Sequence, residues 1–149
     1  MKQRQRGVTL IELLTVMVVL AVIASIAIPS YRRYMLRAQR TDAKAALLQV
    51  QTAEEKFLLQ NNTYTANVTG APGAGGLGLT GASEKGFYTV TVALAVVNGA
   101  PGYTITAVPA AVTGGQQDDT DCATFTLNEQ GTRTGLNSSS ADNTAACWK

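Results

Sequence analysis

The stretch GVTLIELLTVMVVLAVIASIAIP (residues 7–29) decides the fold of this chain of 149 residues. Between Val8 and Ile28 its only charged side chain is the carboxylate of Glu12. As an α-helix, residues 8–28 would extend about 31 Å at ~1.5 Å per residue, which matches a hydrocarbon core ~30 Å thick. We therefore expect a membrane-spanning helix over residues 8–28, and the carboxylate inside it requires an explanation.

A secretory signal peptide is the competing interpretation of the same stretch. Basic residues precede the apolar run, and Ser25-Ile26-Ala27 is a tolerable cleavage site. Cleavage there would release a soluble exported binding protein. The run is longer than the ~7 to 15 apolar residues typical of a signal peptide, and it contains a carboxylate. Both features favour a retained helix.

Helical periodicity continues over residues 29–60. Apolar residues recur there at spacings of three and four: Ala43, Ala46, Val50, Ala53 and Phe57. Polar residues are expected on the other faces: Asp42, Lys44, Gln49, Glu55 and Lys56. This half is therefore predicted to be amphipathic and to pack on a small sheet. Pro29 lacks a backbone N–H and crowds the carbonyl of Ser25, so we expect a kink at Pro29.

The remainder, residues 61–149, is predicted to be a globular domain. Residues 61–86 are rich in Gly, Ala, Thr and Asn without a period, which indicates a loop. Alternating patterns predict strands at 87–97, 103–108, 122–128 and 132–134, with an Asn-Gly turn after the first. In the first strand, four apolar residues share one face: Val90, Val92, Leu94 and Val96. The predicted fold class is α+β, a long kinked N-terminal helix packed on a small antiparallel sheet.

The two cysteines, Cys122 and Cys147, both lie in the C-terminal part of a chain that has no histidine. The natural interpretation is a disulfide bond, which would bound the C-terminal region and place it outside the cytosol. Such a bond would stabilise the fold by about 3 to 4 kcal/mol. The alternative is a pair of unpaired thiols in a cytosolic protein.

The residues around the start of the apolar run form a specific pattern. A basic leader ends at Gly7, and Val8, Glu12 and an apolar stretch up to Pro29 follow. This pattern resembles the type IV pilins (the type IVa prepilin family), and residues 28–47 are similar to the continuation found in many Gram-negative members. The resemblance implies that a prepilin peptidase removes residues 1–7 by cutting after Gly7 and methylates the new N-terminus. Valine stands at position 8, where this family usually has phenylalanine.

Glu12 has a predicted role that physical chemistry supports. A carboxylate at the centre of a bilayer costs ~2.5 to 3.5 kcal/mol on the insertion scale, and less near an end. Cleavage after Gly7 would create an amine on Val8, one helical turn away, which would neutralise Glu12 in its own chain or in a neighbouring subunit. The alternative is a glutamate at the membrane edge that reaches into water.

The resemblance implies a structural function. The chain is expected to be a subunit of a type IV pilus, held first in the inner membrane and then packed into an extracellular fibre for adhesion, twitching motility or DNA uptake. Its implied partners are other pilin subunits, the prepilin peptidase and the pilus assembly machinery. Residues 121–134 look most like those of PilE-type minor pilins. The alternatives are a pseudopilin of type II secretion and a DNA-binding minor pilin. The formal charge of −3 from Asn61 onward argues against DNA binding.

Other patterns are weaker. Residues 73–78, GAGGLG, match the dinucleotide-binding pattern but lack the strand, helix and acidic residue that give it meaning. Residues 118–121, DDTD, are interpreted as an acidic turn rather than a calcium site. We expect no enzymatic activity, because no nucleophile or acid–base pair is evident. No metal or cofactor is expected either.

Two further sets of residues have open interpretations. Four arginines follow the apolar run, and they either pair with acidic groups of adjacent subunits or form a solvated helix face: Arg32, Arg33, Arg37 and Arg40. Three aromatic residues are expected to pack in the core or at its edge rather than to stack on a nucleic-acid base or a sugar: Tyr88, Tyr103 and Trp148.

Overall fold

The computed structural model describes residues 8–97, 99–111 and 116–149, so Gly7 and the predicted leader lie outside the described residues. The elements are α1 (Leu10–Asn61), β1 (Tyr88–Val97), β2 (Ala100–Pro109), β3 (Thr124–Asn128), β4 (Arg133–Leu136) and α2 (Thr144–Cys147). Single 3-10 turns lie at Pro72–Ala74 and Gln116–Asp118. The predicted α+β class is confirmed.

The chain divides into two compact units. The N-terminal unit ends at Met35, and the globular unit runs from Leu36 to Lys149. The division falls inside α1, so the helix contributes its first part to one unit and its second part to the other.

The start of α1 is fixed by a local hydrogen bond. The backbone N–H of Glu12 donates to Oγ1 of Thr9 at 3.3 Å, so Thr9 caps a helix that begins at Leu10. The hydroxyls of Thr15 and Ser25 donate to the carbonyls of Glu12 and Val22 and so satisfy polar groups within the apolar run. The helix continues through Pro29, and the kink there stays a prediction.

The second part of α1 supplies one side of the core. Ala43, Ala46, Val50 and Phe57 are buried and Ala53 packs against them, which confirms the predicted apolar stripe. The placement of Asp42 on an exposed face was wrong. Asp42 is 6% exposed, and Glu54, which falls on the stripe itself, is fully buried.

The sheet supplies the other side. Its strands are antiparallel in the order β1-β2-β3-β4. The face that covers the core carries one buried row from each of the first three strands: Tyr88, Val90 and Val92; Tyr103, Ile105 and Ala107; Phe125 and Leu127. The first of these rows is the face predicted from the alternation in β1.

Several details of the sheet differ from the sequence prediction. Strand β1 begins at Tyr88 instead of residue 87, and β3 begins at Thr124 instead of residue 122. Leu94 and Val96 are 53% and 78% exposed, because β1 extends past the buried part of the sheet. Strand β2 begins at Ala100 instead of residue 103, since its first residues continue the pairing up to Val97 opposite Ala100. Strand β4 reaches Leu136, which pairs with Thr124 of β3.

The C-terminal region closes one edge of the sheet. A disulfide joins Cys122 and Cys147, as predicted. The N–H of Asn143 donates to the carbonyl of Gly135 at 2.8 Å, and the N–H of Gly135 donates to Oγ1 of Thr144 at 2.9 Å. A Cβ at Gly135 would lie 2.6 Å from Cβ of Cys147, so only glycine allows this approach. The outer edge of β4 is therefore covered.

The segment between α1 and β1 is a compact loop. Val68 and Leu77 are buried, and the N–H of Leu77 donates to the carbonyl of Asn67. Residues 73–78 lie in this loop, where a 3-10 turn stands in place of the strand and helix of a dinucleotide site. The strand before the glycines and the helix after them, which give that motif its meaning, do not occur around these described residues.

Candidate functional site: the apolar helix and the surface of the globular unit

The N-terminal unit presents a wholly exposed apolar surface. Every Val, Leu, Ile and Met side chain from Val8 to Ile28 is more than half exposed. By length and composition, α1 is apolar enough to cross a membrane. Fully burying one such side chain is worth roughly 1.5–3 kcal/mol, so this surface gains much free energy from lipid or from other helices.

A shallow groove interrupts this surface. It has a volume of about 220 Å³ and is lined by Thr15, Val16, Val19 and Leu20. Side chains at spacings of three and four residues form such grooves on any helix, and ridges of a second helix fit into them. The groove is therefore suited to helix packing.

Glu12 is held at the helix start by its backbone. The pattern Thr9-x-x-Glu12 is that of a capping box, in which the threonine accepts a hydrogen bond from the backbone N–H of the glutamate. The sequence itself carries this signal, because Thr9 and Glu12 have the required spacing. Val8 precedes the helix and is 69% exposed. The processing of Gly7 and Val8 and the pairing of Glu12 with the Val8 amine stay predictions.

The globular unit contains a buried ion pair that the sequence did not reveal. Arg40 Nε lies 2.6 Å from Asp119 Oδ2, and Arg40 Nη2 lies 2.7 Å from Asp119 Oδ1. Both side chains are less than 10% exposed. The hydrogen bond to Asp119 raises the pKa of Arg40 and outweighs the opposing effect of burial. The pair joins α1 to the segment before β3 and has bidentate geometry.

This ion pair changes two interpretations. Asp119 lies in DDTD, so the prediction of an ordinary acidic turn was wrong for this residue, whose two oxygens both accept from Arg40. For Arg40, both proposed roles were wrong, because its partner lies in its own chain. Within the described residues, no cluster of His, Cys, Asp or Glu has the geometry to hold a metal ion. The roles of Arg32, Arg33 and Arg37 in subunit contacts stay predictions.

The side chain of Gln116 also contacts the ion pair of Arg40 and Asp119. Its Nε2 donates to the carbonyl of Leu36 at 2.6 Å and lies 3.2 Å from Oδ2 of Asp119. Gln116 is fully buried, and its Oε1 accepts no hydrogen bond from the described residues. Leu36 is the first residue of the globular unit, so these contacts fix the start of that unit.

Two more carboxylates are buried along α1. Oε2 of Glu54 accepts the N–H of Thr65 at 3.2 Å, whereas its buried Oε1 has no partner among the described residues. Burial raises the pKa of Glu54. Oδ1 of Asp42 accepts the N–H of Lys85 at 3.2 Å. Both carboxylates thus tie α1 to the loop that precedes β1.

Aromatic residues fill the core. Tyr88 and Tyr103 are fully buried, and burial raises the pKa of each phenol. The rings of Tyr88 and Phe125 are in edge contact at 5.8 Å, and those of Phe125 and Trp148 at 5.9 Å. The prediction that these aromatic residues pack in the core or at its edge is confirmed.

A basic patch lies beside Trp148. The guanidinium of Arg133 lies 5.2 Å from the centre of the indole ring, within the range of a cation–π contact. Nζ of Lys44 donates to the carbonyl of Lys149 at 2.5 Å. Burial lowers the pKa of Lys44, and the positive charges of Arg40 and Arg133 lower it further. We call Lys44, Arg133, Trp148 and Lys149 the basic patch.

Models of two known protein families match this chain, one at its N-terminal part and one over most of the remainder. A model described as "Prokaryotic N-terminal methylation motif" matches residues 2–28. A second model, described as "Type IV minor pilin ComP, DNA uptake sequence receptor", matches residues 29–126. Together they cover the apolar run and most of the globular unit.

Two type IV pilus proteins and one type II secretion protein are similar to this chain. The type IV major fimbrial protein FimA of Dichelobacter nodosus is 36% identical over 106 residues, which are 57% of this chain and 68% of FimA. The type IV major pilin protein PilA of Myxococcus xanthus (strain DK1622) is 37% identical over 62 residues, 42% of this chain. The type II secretion system core protein G of Pectobacterium carotovorum subsp. carotovorum is 34% identical over 67 residues, 45% of this chain.

Coverage of two of these relatives is partial. The matched part spans 28% of the Myxococcus protein and 43% of the Pectobacterium protein. A solved structure described as a type IV pilin from Shewanella oneidensis is also similar, with a TM-score of 0.43 and 20% identity over 66% of this chain and 89% of that one.

Two observations establish the family. The ComP model matches about two thirds of the chain, and FimA is similar over more than two thirds of its own length. The apolar helix, the antiparallel sheet and the C-terminal disulfide agree with the sequence prediction. The chain belongs to the type IV pilins, a family of structural proteins and not of enzymes.

Proposed function

We propose that this pilin is a subunit of a type IV pilus fibre and that α1 drives its assembly. In this proposal residues 8–28 hold the precursor in the inner membrane, a prepilin peptidase cuts after Gly7, and the assembly machinery packs the released helices together outside the membrane. The two family matches support this sequence of events.

The observation that carries the proposal is the contrast in burial between the two units. The apolar side chains of residues 8–28 are exposed, whereas the globular unit has its own closed core. A helix that is apolar on all sides is stable only in lipid or among other helices. A precursor in a membrane and a subunit in a fibre provide these two environments in turn.

Glu12 gives the assembly a defined register. In lipid its carboxylate costs free energy unless a positive charge is close. Cleavage after Gly7 supplies an amine at Val8, and this amine can neutralise Glu12 of the same or a neighbouring subunit. When the amine belongs to a neighbouring subunit, the pairing sets the offset between the two helices along their length.

Intact mass of the protein from its native host tests the processing step. We expect a chain that lacks residues 1–7 and carries one additional methyl group, both dependent on the prepilin peptidase. A mature chain that starts at Ile28 would instead establish the signal-peptide interpretation. An uncut chain would contradict the proposal.

Replacement of Glu12 tests the assembly step. Glu12→Ala should leave the protein in the inner membrane and abolish or strongly reduce sheared fibres seen by electron microscopy. Glu84→Ala is a matched control, since Glu84 is an exposed glutamate of the globular unit. If Glu12→Ala assembled as well as the control, the register role would be wrong.

A pseudopilin of type II secretion is the alternative that the Pectobacterium relative raises. That function predicts a defect in the secretion of other proteins when this chain is deleted. Loss of surface fibres with normal secretion would favour the pilus.

DNA binding is a second candidate function, which one comparison favours. The matched ComP model is described as a DNA uptake sequence receptor. The basic patch provides three cationic residues and an aromatic ring in one place, a combination that suits phosphate and base contacts. The net negative charge of the globular unit opposes this candidate, so any binding has to depend on this local patch.

A gel-shift series with the full chain in detergent tests DNA binding. We expect affinity to fall between about 50 and 200 mM salt, as counterion release requires. Arg133→Ala should reduce the slope against salt by about 1, as expected for one lost phosphate contact. Lys85→Ala is the control, because Lys85 is an exposed cation outside the patch. Equal effects of the two variants, or no binding, would contradict this candidate.

A further inference from the structure

The outer edge of β1 is covered only along its first half. The N–H of Val90 donates to the carbonyl of Gly81 at 2.8 Å, and the N–H of Ser83 donates to the carbonyl of Tyr88 at 2.9 Å. Within the described ranges, no backbone group outside β2 bonds to β1 beyond Val90. The second half of this edge is therefore open.

The backbone groups at the open half have a regular spacing. In an antiparallel ladder, the N–H and C=O of one residue point to the same side, and every second residue repeats this direction. Because Tyr88 and Val90 bond outward, Val92, Leu94 and Val96 also direct their N–H and C=O groups outward. Three successive pairs of hydrogen-bonding groups are thus available for another strand.

The side chains at this edge are apolar. No charged residue occurs from Phe87 to Gln117, and β1 has no lysine or proline. Leu94 and Val96 are exposed and adjoin a pocket of about 310 Å³, which Tyr64 and Pro101 also line. Proteins normally protect an open edge with a charge, a proline, a bulge or a very short strand. β1 has ten residues with no charge or proline, so it is suited to pairing.

We propose that two copies of this chain pair through the open edges of their β1 strands. The strands would run antiparallel about a two-fold axis at Leu94, so that Leu94 faces Leu94 of the second copy and Val92 faces Val96. This register uses all three outward positions on both strands. The two four-stranded sheets would become one sheet of eight strands, and the exposed side chains of Leu94 and Val96 would lie beside those of the second copy.

A second copy fits this edge better than a charged partner does. The open half of β1 is complementary to itself, as a two-fold contact requires. The residues of the hairpin carry no charge, so the edge of β1 itself offers no ionic contact to an acidic or basic partner. The nearest carboxylates, those of Glu55 and Glu129, contact Tyr64 and Tyr103. Contacts within a helical fibre are head-to-tail, so a two-fold contact would join subunits of different fibres. The inference goes beyond fibre assembly and can be measured on unassembled chains.

Cysteine cross-linking tests the register. In the proposed pair, the two Cα atoms at position 94 lie about 5.5 Å apart, within the ~4.4–6.8 Å that a disulfide spans. Under mild oxidation of the full chain in detergent, Leu94→Cys should give a disulfide-linked dimer. Val96→Cys is the matched control, because the two copies of position 96 would lie four residues apart, or roughly 14 Å along the strands.

The control separates specific pairing from random collision. Val96 is more exposed than Leu94, so collision alone would link Val96→Cys at least as fast. We expect the Leu94→Cys dimer to form at least tenfold faster. Equal rates, or a faster rate for Val96→Cys, would overturn the proposed register.

A second measurement does not depend on cysteines. Sedimentation of the wild-type chain in detergent should show a dimer whose proportion rises with concentration and is insensitive to salt. Leu94→Lys should shift the chain to monomer, whereas Thr91→Lys should not, because the backbone groups of Thr91 point towards β2. A wild-type chain that stays monomeric, or a dimer that Leu94→Lys leaves intact, would overturn the proposal. Binding of a strand from another protein to the β1 edge of a monomeric chain would also overturn the proposal.

Failure of this test is distinguishable from failure of the proposed function. Loss of the dimer with normal fibres would contradict only the edge contact. Loss of fibres in Glu12→Ala with an intact Leu94-dependent dimer would concern only assembly through α1.

Discussion

The N-terminal unit and the globular unit differ in which side chains they bury. Up to Ile28, the N-terminal unit is essentially one helix, and its large apolar residues are exposed. The globular unit buries not only apolar residues but also the charged side chains of Arg40, Asp42, Glu54 and Asp119. One continuous helix supplies residues to both. Exposure along α1 therefore depends on what covers each part and not on how hydrophobic that part is.

The same contrast applies to the acidic residues of α1. Glu12 is exposed among apolar side chains and has no charged partner among the described residues of its own unit. Glu54 is buried and accepts a backbone hydrogen bond. The carboxylate of Glu54 is thus held by a backbone donor of its own unit, and the role of Glu12 towards other subunits stays a proposal.

The largest effect on the globular unit is expected from breaking the buried ion pair. Asp119→Ala should lower the free energy of unfolding by about 3–5 kcal/mol, because it leaves the buried guanidinium of Arg40 with only a 3.8 Å contact to the exposed carboxylate of Asp121. The fluorescence of Trp148, the only tryptophan, reports on this unit, since its ring packs on Phe125. Denaturant unfolding followed by this signal measures the loss.

A double replacement shows whether the loss comes from the unpaired charge. Arg40→Met combined with Asp119→Leu should recover most of the stability, since apolar residues of similar volume often replace a buried pair without cost. If Asp119→Ala changed stability by less than about 1 kcal/mol, the typical value for an exposed pair, the ion pair would have to be treated as a surface contact.

Removal of the disulfide should have the next largest effect. Cys122 and Cys147 are separated by 25 positions, and opening a loop of that length should destabilise the unit by about 3 to 4 kcal/mol. Thermal unfolding of Cys122→Ser/Cys147→Ser measures this change. Membrane insertion of α1 should be unaffected, because the bond lies entirely in the globular unit.

Chemical reduction provides the control for the serine variant. The wild-type chain with reductant and the double variant without it should unfold at similar temperatures. A double variant as stable as the oxidised wild type would contradict a structural role for the bond.

The smallest effect is expected at Glu54, and it depends on pH. Burial raises the pKa of this carboxyl, so the folded chain holds the proton more tightly than the unfolded chain does. The resulting stability is present below the ordinary glutamate pKa of 4.5 and is lost as pH rises through the folded-state value. Glu54→Gln should therefore be more stable than the wild type at pH 7, by about 1 kcal/mol, because the neutral amide does not carry the cost of a buried charge.

The pH profile separates this effect from simple repacking. Above pH 4.5, the stability of Glu54→Gln should vary less with pH than that of the wild type. Glu84→Gln is the control, because Glu84 is an exposed glutamate of the same unit, outside α1. A profile for Glu54→Gln that is parallel to the wild type would show that Glu54 does not titrate with unfolding.

Periodicity predicted the helix and the sheet well because each pattern depends on neighbouring residues alone. The spacing from Ala43 to Phe57 indicated the buried face of α1, and alternation in β1 indicated the row at Val90 and Val92. The same reasoning failed at Leu94 and Val96. Alternation identifies which side chains share a face, but it does not show how far the covering layer extends.

The buried charges were less predictable. Arg40 and Asp119 are 79 positions apart, and no local pattern links them. Asp42 and Glu54 have the composition of surface residues, and they are buried only because the loop after α1 folds back over them and supplies hydrogen-bond donors from Lys85 and Thr65. For Glu54 a partial signal existed, since position 54 continues the apolar stripe.

By itself, the sequence determined the apolar helix with its single carboxylate, the alternation of the strands and the likeness to type IV pilins, because these follow from residue type and spacing along the chain. The tertiary structure alone decided which charges are buried, which edge of the sheet the C-terminal region covers and which half of β1 stays open. These outcomes depend on hydrogen bonds and packing between segments distant in sequence, and such contacts leave no periodic trace in the order of residues.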